Sequence, residues 1–234
     1  MFDFGPLHKN RKEITEQLMS LPLKTGDIFY RASNAKGPLG LPFSRIISFA
    51  TNSPYSHAAI ALVESDELYV MEVNDQGTLK LRLIDWLDTC YTPEFSIYRY
   101  NGINEKLEKE IAIEINKFLQ QDPDYDFNFA DDSKYYCTES VVQIYRNLGI
   151  QIIEPAFIRD CLNKFGFSLF KFGNFCFKCF FNISMPLDKP LYYVGNEKNG
   201  MMSSKITGCV FHFNQNNSII NKTGKSLSYF LHSK

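Results

Sequence analysis

The sequence predicts an α+β domain, and three observations carry that prediction. Short alternating apolar runs gather between residues 27 and 100, the clearest amphipathic helix follows at 104–121, and a further helix opens at Cys137. Strands that come first, with helices after them, suit a sheet covered by helices rather than a chain of βαβ units.

Taken in order, a weakly amphipathic segment with Ile14, Leu18 and Leu21 on one line leads past Pro22 and Gly26 to a first strand at 27–31. Residues 32–42, with Gly37-Pro38 and Gly40-Leu41-Pro42, read as loop. Phe43, Ile46, Ile47 and Ala50 have the spacing of a short helix. Strands follow at 57–63, 68–73 and 95–100, with a helical turn at 83–87 between the last two. Alternation groups His57 with Ala59 and Ala61, and Glu72 with Val70 and Leu68. If these strands are antiparallel neighbours, the register decides whether the two groups share a face, because a slip of one residue reverses it.

In the helix at 104–121, Leu107, Ile111, Ile115 and Phe118 or Leu119 align, with Asn104 placed to cap and Pro123 to stop it. A polar loop at 122–128 leads to Tyr135-Tyr136-Cys137-Thr138-Glu139, and the helix beginning there carries Val141, Ile144, Tyr145 and Leu148 before Gly149 closes it. Residues 155–164 read as another helix. Between Phe165 and Phe181 lie eight of the 21 phenylalanines, alternating like strands: either aromatic core strands or an apolar surface for lipid or acyl chains. No run approaches the roughly twenty apolar residues that span a bilayer. The domain is expected to occupy 1–194, with 195–234 a loosely structured C-terminal extension holding a strand near 209–213.

Composition narrows the function. The 25 Lys and Arg are spread beside 26 Asp and Glu for a net charge of −1, so no nucleic-acid surface is expected. Six cysteines occur without an N-terminal basic stretch and apolar h-region, which predicts reduced thiols in a cytosol, that of the source cell or of a cell into which the protein is delivered. Cys176 and Cys179 have CxxC spacing but no second ligand pair, so they read as buried cysteines rather than a metal site. Neither a G-x-S-x-G motif nor a glycine-rich phosphate loop is present, and no cofactor is expected.

Cys137 is the chemical candidate. At a helix N-terminus, unpaired backbone N–H groups and the positive end of the macrodipole favour the thiolate. Cys90 and Cys161 read as small core residues. His8 and His232 fall in tails and His212 in the C-terminal strand, whereas His57 opens a strand after a turn built on Pro54, where an imidazole can project into a cleft. A thiol–imidazole pair also needs a group on the other ring nitrogen. Glu72 is the leading candidate, with Asn74 and Asp75 beside it.

Gly26-Asp27-Ile28, the Tyr55-Ser56-His57 turn with its small-apolar strand, Val70-Met71-Glu72, Ile97-Tyr98-Arg99, and Tyr125-Asp126-Phe127 ahead of Tyr135-Tyr136-Cys137-Thr138-Glu139 together resemble the YiiX/YebB-like branch of the NlpC/P60 cysteine hydrolases, over about residues 20 to 150. The resemblance implies a circularly permuted papain-like fold in which histidine and its polar partner precede the cysteine. It makes Cys137 the nucleophile, His57 the base and Glu72 the orienting acid. Thr138 stands where serine is expected, keeping a hydroxyl able to bond the helix backbone.

The activity so implied is cleavage of an amide, ester or thioester through a thioacyl enzyme, ending in hydrolysis or acyl transfer. A peptidoglycan-type amidase or endopeptidase, and a non-catalytic binding module on the same fold, are the alternatives. The substrate expected is lipid-like or a modified protein, with peripheral membrane contact through the segment from Phe165 to Phe181.

Overall fold

The stretches Ile-Phe-Tyr-Arg (28–31) and His-Ala-Ala-Ile-Ala-Leu-Val (57–63) are apolar at successive positions, so a sheet built from them must be covered on both faces. The computed structural model has that arrangement. It describes residues 11–32, 43–74, 77–88, 94–120, 122–123, 134–157, 159, 171, 174–175, 178, 187, 190–214 and 217–220.

The elements are α1 (Arg11–Met19), β1 (Ile28–Arg31), α2 (Phe43–Thr51), β2 (His57–Glu64), β3 (Glu67–Asn74), β4 (Gly77–Arg82), α3 (Leu83–Asp88) and β5 (Glu94–Tyr100). There follow α4 (Glu105–Phe118), β6 (Asp122–Pro123), β7 (Lys134–Tyr135), α5 (Cys137–Asn147), β8 (Ala156–Phe157), β9 (Pro190–Leu191), a short 3₁₀ turn at Met201–Ser203, β10 (Thr207–Asn214) and β11 (Asn217–Ile220). Seven strands form one sheet in the order β11-β10-β5-β1-β2-β3-β4, antiparallel throughout.

One face carries Ile28, Tyr30, Ala58, Ile60, Met71 and Val73 against α4 and α5, through Leu107, Ile111, Ile115, Val141, Val142 and Tyr145. The other carries Phe29, Ala59, Ala61, Val70, Phe95 and Ile97 against Ile14 and Leu18 of α1 and Trp86 of α3. Caps confirm the helix limits. Asn104 accepts from the Leu107 N–H at 3.0 Å. At the other end of α5, Gly149 takes φ +75° while Gly149 and Ile150 donate to the carbonyls of Arg146 and Tyr145, a Schellman closure.

The structure also departs from the sequence reading. Residues 77–82 form an additional edge strand, β4, whose half-exposed pattern gives a weak signal. Within 155–164, Ala156 and Phe157 form a short strand with Leu191 and Pro190, while Arg159 is helical as expected. Between Phe165 and Phe181 the described residues Lys171, Asn174, Phe175 and Lys178 are helical. The described part of this segment is thus helical rather than strand-like. Cys176, Cys179, Cys90, Cys161, Asp75, His8 and His232 lie outside the described residues.

The strand expected near 209–213 is present and longer, and with β11 it joins the main sheet beside β5. A bulge between Cys209 and Phe211 rephases it. Cys209 therefore packs with the α5 face, whereas Phe211 and Phe213 join the Trp86 face.

Candidate active site

The register that alternation leaves open is set by the β2–β3 ladder. Ile60 opposes Met71 and Ala61 opposes Val70, which continues to Ala59 beside Glu72. His57 has the parity of Ala59, so it and Glu72 project to the same face. Arg31, directly opposite His57 in the β1–β2 ladder, projects there too. Trp86 of α3 covers the group, its ring 4.9 Å from the Arg31 guanidinium carbon.

Glu72 is the hub. Its Oε2 accepts from Arg31 Nη2 at 2.7 Å and Trp86 Nε1 at 2.9 Å, and lies 3.0 Å from His57 Nε2; its Oε1 accepts from Asn74 Nδ2 at 3.0 Å. Only 1 % of Glu72 is exposed, so an uncompensated charge would be costly. Burial raises its pKa, but Arg31 and His57 outweigh that and hold the carboxyl well below the usual carboxylate range.

Helix α5 packs on the opposite face, and its first residue meets His57 where β2 begins. The Cys137 thiol is half-buried and hydrogen-bonded to the imidazole. With Nε2 turned to Glu72, Nδ1 is the ring nitrogen left for the thiol. Backbone N–H groups of Ala58 and Thr138 also favour the thiolate. Burial opposes ionisation, yet these partners, His57 foremost, bring the thiol below its ordinary value. Burial likewise disfavours the imidazolium, but Cys137 and Glu72 push His57 up to about 9. The geometry is that of a thiolate–imidazolium pair backed by a carboxylate.

The turn before His57 is tied down as well. Ser56 N–H donates to the Arg31 carbonyl at 3.0 Å, and Tyr55 N–H to Ser53 Oγ at 3.0 Å. Tyr55 Oη reaches Ser96 Oγ at 2.7 Å, and Ser96 Oγ reaches His212 Nδ1 at 2.8 Å.

Thus Cys137, His57 and Glu72, singled out in the sequence, meet in space, and Asn74 supports Glu72 rather than replacing it. Arg31 and Trp86 escaped the sequence reading. Their signals were present: a charge ending an apolar strand, and the chain's one tryptophan on a helical turn. The Thr138 hydroxyl donates not to the helix backbone but to the carbonyl of Tyr192, at 2.6 Å. Among the described residues no group of three or more His, Cys, Asp or Glu is arranged to hold a metal ion, and no helix is long and apolar enough to cross a membrane.

Comparison with known proteins agrees with this architecture. Residues 22–164 match the family described as permuted papain-like amidase enzyme, YaeF/YiiX, C92 family. The uncharacterized protein YiiX of Escherichia coli (strain K12) is 27% identical over 160 residues, covering 65% of this chain and 75% of that protein. The crystal structure of metalloprotein yiiX from Escherichia coli O157:H7 superposes with a TM-score of 0.66 at 21% identity, over 81% of this chain and 97% of that one. With the family match spanning more than half its length, and with the antiparallel sheet and covering helices just described, this chain belongs to the permuted papain-like amidases of the YaeF/YiiX type.

Proposed function

We propose that the protein is a thiol-dependent hydrolase or acyltransferase that opens an amide, ester or thioester bond through a thioacyl enzyme on Cys137. The observation that carries the reading is the two-sided engagement of His57, by Glu72 at 3.0 Å and by the Cys137 thiol. Membership of an amidase family favours an amide among the three bonds.

In this mechanism the thiolate adds to the carbonyl carbon, and the backbone N–H groups at the start of α5 stabilise the oxyanion. The imidazolium then gives its proton to the leaving group as the C–N, C–O or C–S bond breaks, leaving a thioester on Cys137. Neutral His57, with its Nε2–H directed at Glu72, next takes a proton from water or another acceptor, whose oxygen or nitrogen displaces the thiol. Glu72 keeps the tautomer, and Arg31 keeps Glu72 ionised.

A lipid-like or modified-protein substrate, met in a cytosol, fits the sequence reading. Phe175, 59 % exposed beside Lys171 and Lys178, is the described part of the surface that would contact lipid. The test is incubation of the purified protein with phospholipids, acyl thioesters and peptidoglycan peptides, followed by intact mass and adduct mapping. A fatty-acyl increment on Cys137 supports the lipid reading, and a peptidyl increment supports a peptidoglycan-type amidase. No adduct, together with an ordinary thiol titration, supports a binding module.

A further inference from the structure

Helix α5 begins without a side-chain cap: its N-cap is Tyr136, in extended conformation, with no side-chain hydrogen bond to the first turn. Such a helix end is held less firmly than one capped by Ser, Thr, Asp or Asn. Something else secures it here. The N–H of Tyr192 donates to Tyr136 Oη at 2.6 Å, and Thr138 Oγ1 donates to the Tyr192 carbonyl at 2.6 Å. The residues on either side of Cys137 therefore grip the two ends of one residue's backbone, 56 and 54 positions further along the chain. Arg146, near the far end of the helix, reaches the Tyr192 hydroxyl at 3.2 Å.

We propose that the Tyr192 backbone is a splint across the nucleophile, with Tyr136 and Thr138 as the positioning residues through which it acts. Three observations support this. Thr138 is only 3 % exposed, so its hydroxyl has a defined partner rather than water. The Thr138 N–H lies against the Cys137 thiol, so fixing the Thr138 side chain fixes a donor on the reacting sulfur. Tyr192 lies beyond the family-matched stretch 22–164, so the splint comes from a part of the chain that the match does not cover.

The inference rests on the reading of Cys137 as the nucleophile and deepens it. The groups acting on the thiol are His57 and the Ala58 N–H from β2 and the Thr138 N–H of its own helix, while Tyr136 lies within its field, with Glu139 and the Tyr192 backbone acting on Tyr136 rather than on the sulfur. Glu72 and Arg31 stand behind His57. Loosening the splint leaves these charges in place and releases the backbone donor.

The experiment is the pH dependence of Cys137 alkylation by iodoacetamide, with kcat and KM on a confirmed substrate, for wild type, Thr138→Val, Thr138→Ser and Tyr136→Phe. The expected result is a midpoint raised by about one pH unit in Thr138→Val and Tyr136→Phe, the scale of one hydrogen bond to a charged group. A kcat about tenfold lower with KM little changed should accompany it. Thr138→Ser should restore both. If Thr138→Val does not fold, Tyr136→Phe, which keeps ring and volume, decides alone. A lowered melting temperature with wild-type midpoint and kcat would make the contacts merely structural and overturn the splint. Failure of the underlying reading looks different: a wild-type thiol titrating near 8.5, or turnover surviving in Cys137→Ala.

Discussion

Arg31 and His57 face each other across the β1–β2 ladder, and both reach the same atom, Oε2 of Glu72. The carboxylate is thus shared between a permanent cation and a titrating one. When the imidazole is neutral, Arg31 still compensates the buried charge, so Glu72 remains an acceptor in every protonation state of its neighbour.

One consequence is a pH window. The raised value of His57 means that its contribution to stability is complete below its ordinary 6.5 and is lost as pH passes about 9. Cys137 runs the other way: its lowered value gives a contribution present above the ordinary thiol range and lost as pH falls through the depressed one. The ion pair fills the interval between. Turnover should rise with Cys137 ionisation and fall above about 9 as His57 loses the proton it must deliver. Alkylation should keep its acid limb but not decline above 9, so the two profiles part at high pH.

Removing the thiolate should be legible in the histidine. In Cys137→Ala the imidazolium loses one of the partners that raise it, and His57 should titrate below about 9, followed by NMR of the ring protons. An unchanged titration would mean that the two groups do not interact in solution.

Glu72→Gln keeps shape while removing charge. Turnover should drop by about 10⁴-fold, the scale seen when the carboxylate behind a catalytic histidine is neutralised. The alkaline limb should move to lower pH, because Glu72 supports the imidazolium. An unmoved limb would mean that Glu72 does not act on the imidazolium, and a full loss of activity with an altered near-UV circular dichroism spectrum would mean misfolding.

Arg31→Met isolates the supporting cation. Glu72 would be left buried without its permanent cation, a change that costs about 3–5 kcal/mol when a buried pair is broken. Because Glu72 owes its low value chiefly to Arg31, its protonation should move upward. Stability carried by ionised Glu72 is present above its ordinary 4.5 and lost as pH falls through the folded value, so acid unfolding should begin at higher pH in the variant. Equilibrium denaturation at pH 7 and pH 5 measures both effects.

Gly26 offers a test of the scaffold alone. It has φ +98°, and a Cβ there would lie 2.7 Å from Ile111 Cδ1 and 2.9 Å from Tyr145 Oη, whose hydroxyl donates to the Gly26 carbonyl at 2.5 Å. Gly26→Ala should therefore destabilise by about 1–3 kcal/mol, read as a lowered denaturation midpoint, while the Cys137 pH profile stays put.

The elements nearest the chemistry were the most legible. Cys137 announced itself by opening an amphipathic helix, and His57 by opening a strand among small residues. What alternation leaves open is register. The pairing of Ala61 with Val70, which brings Glu72 to the His57 face, is a long-range fact. Arg31 was missed because a charged residue at a strand end ordinarily faces water, whereas here it is buried between neighbouring strands, bonded to Glu72 and set against Trp86. The role of β10 was hidden by its bulge, since no local pattern says that Cys209 and Phe211 face opposite ways.

The strand order has a temporal meaning too. β1, β2 and β3 follow one another in the chain and lie side by side in the sheet, so the Arg31–Glu72–His57 cluster, whose outermost members are 41 positions apart, comes from a stretch that the ribosome delivers before the Cys137 helix. Cys137 emerges later, and its splint at Tyr192 later still. During synthesis the histidine's partners are therefore on hand before the Cys137 helix and the segment that braces it, and the thiol meets its imidazole only once both lie in the folded domain.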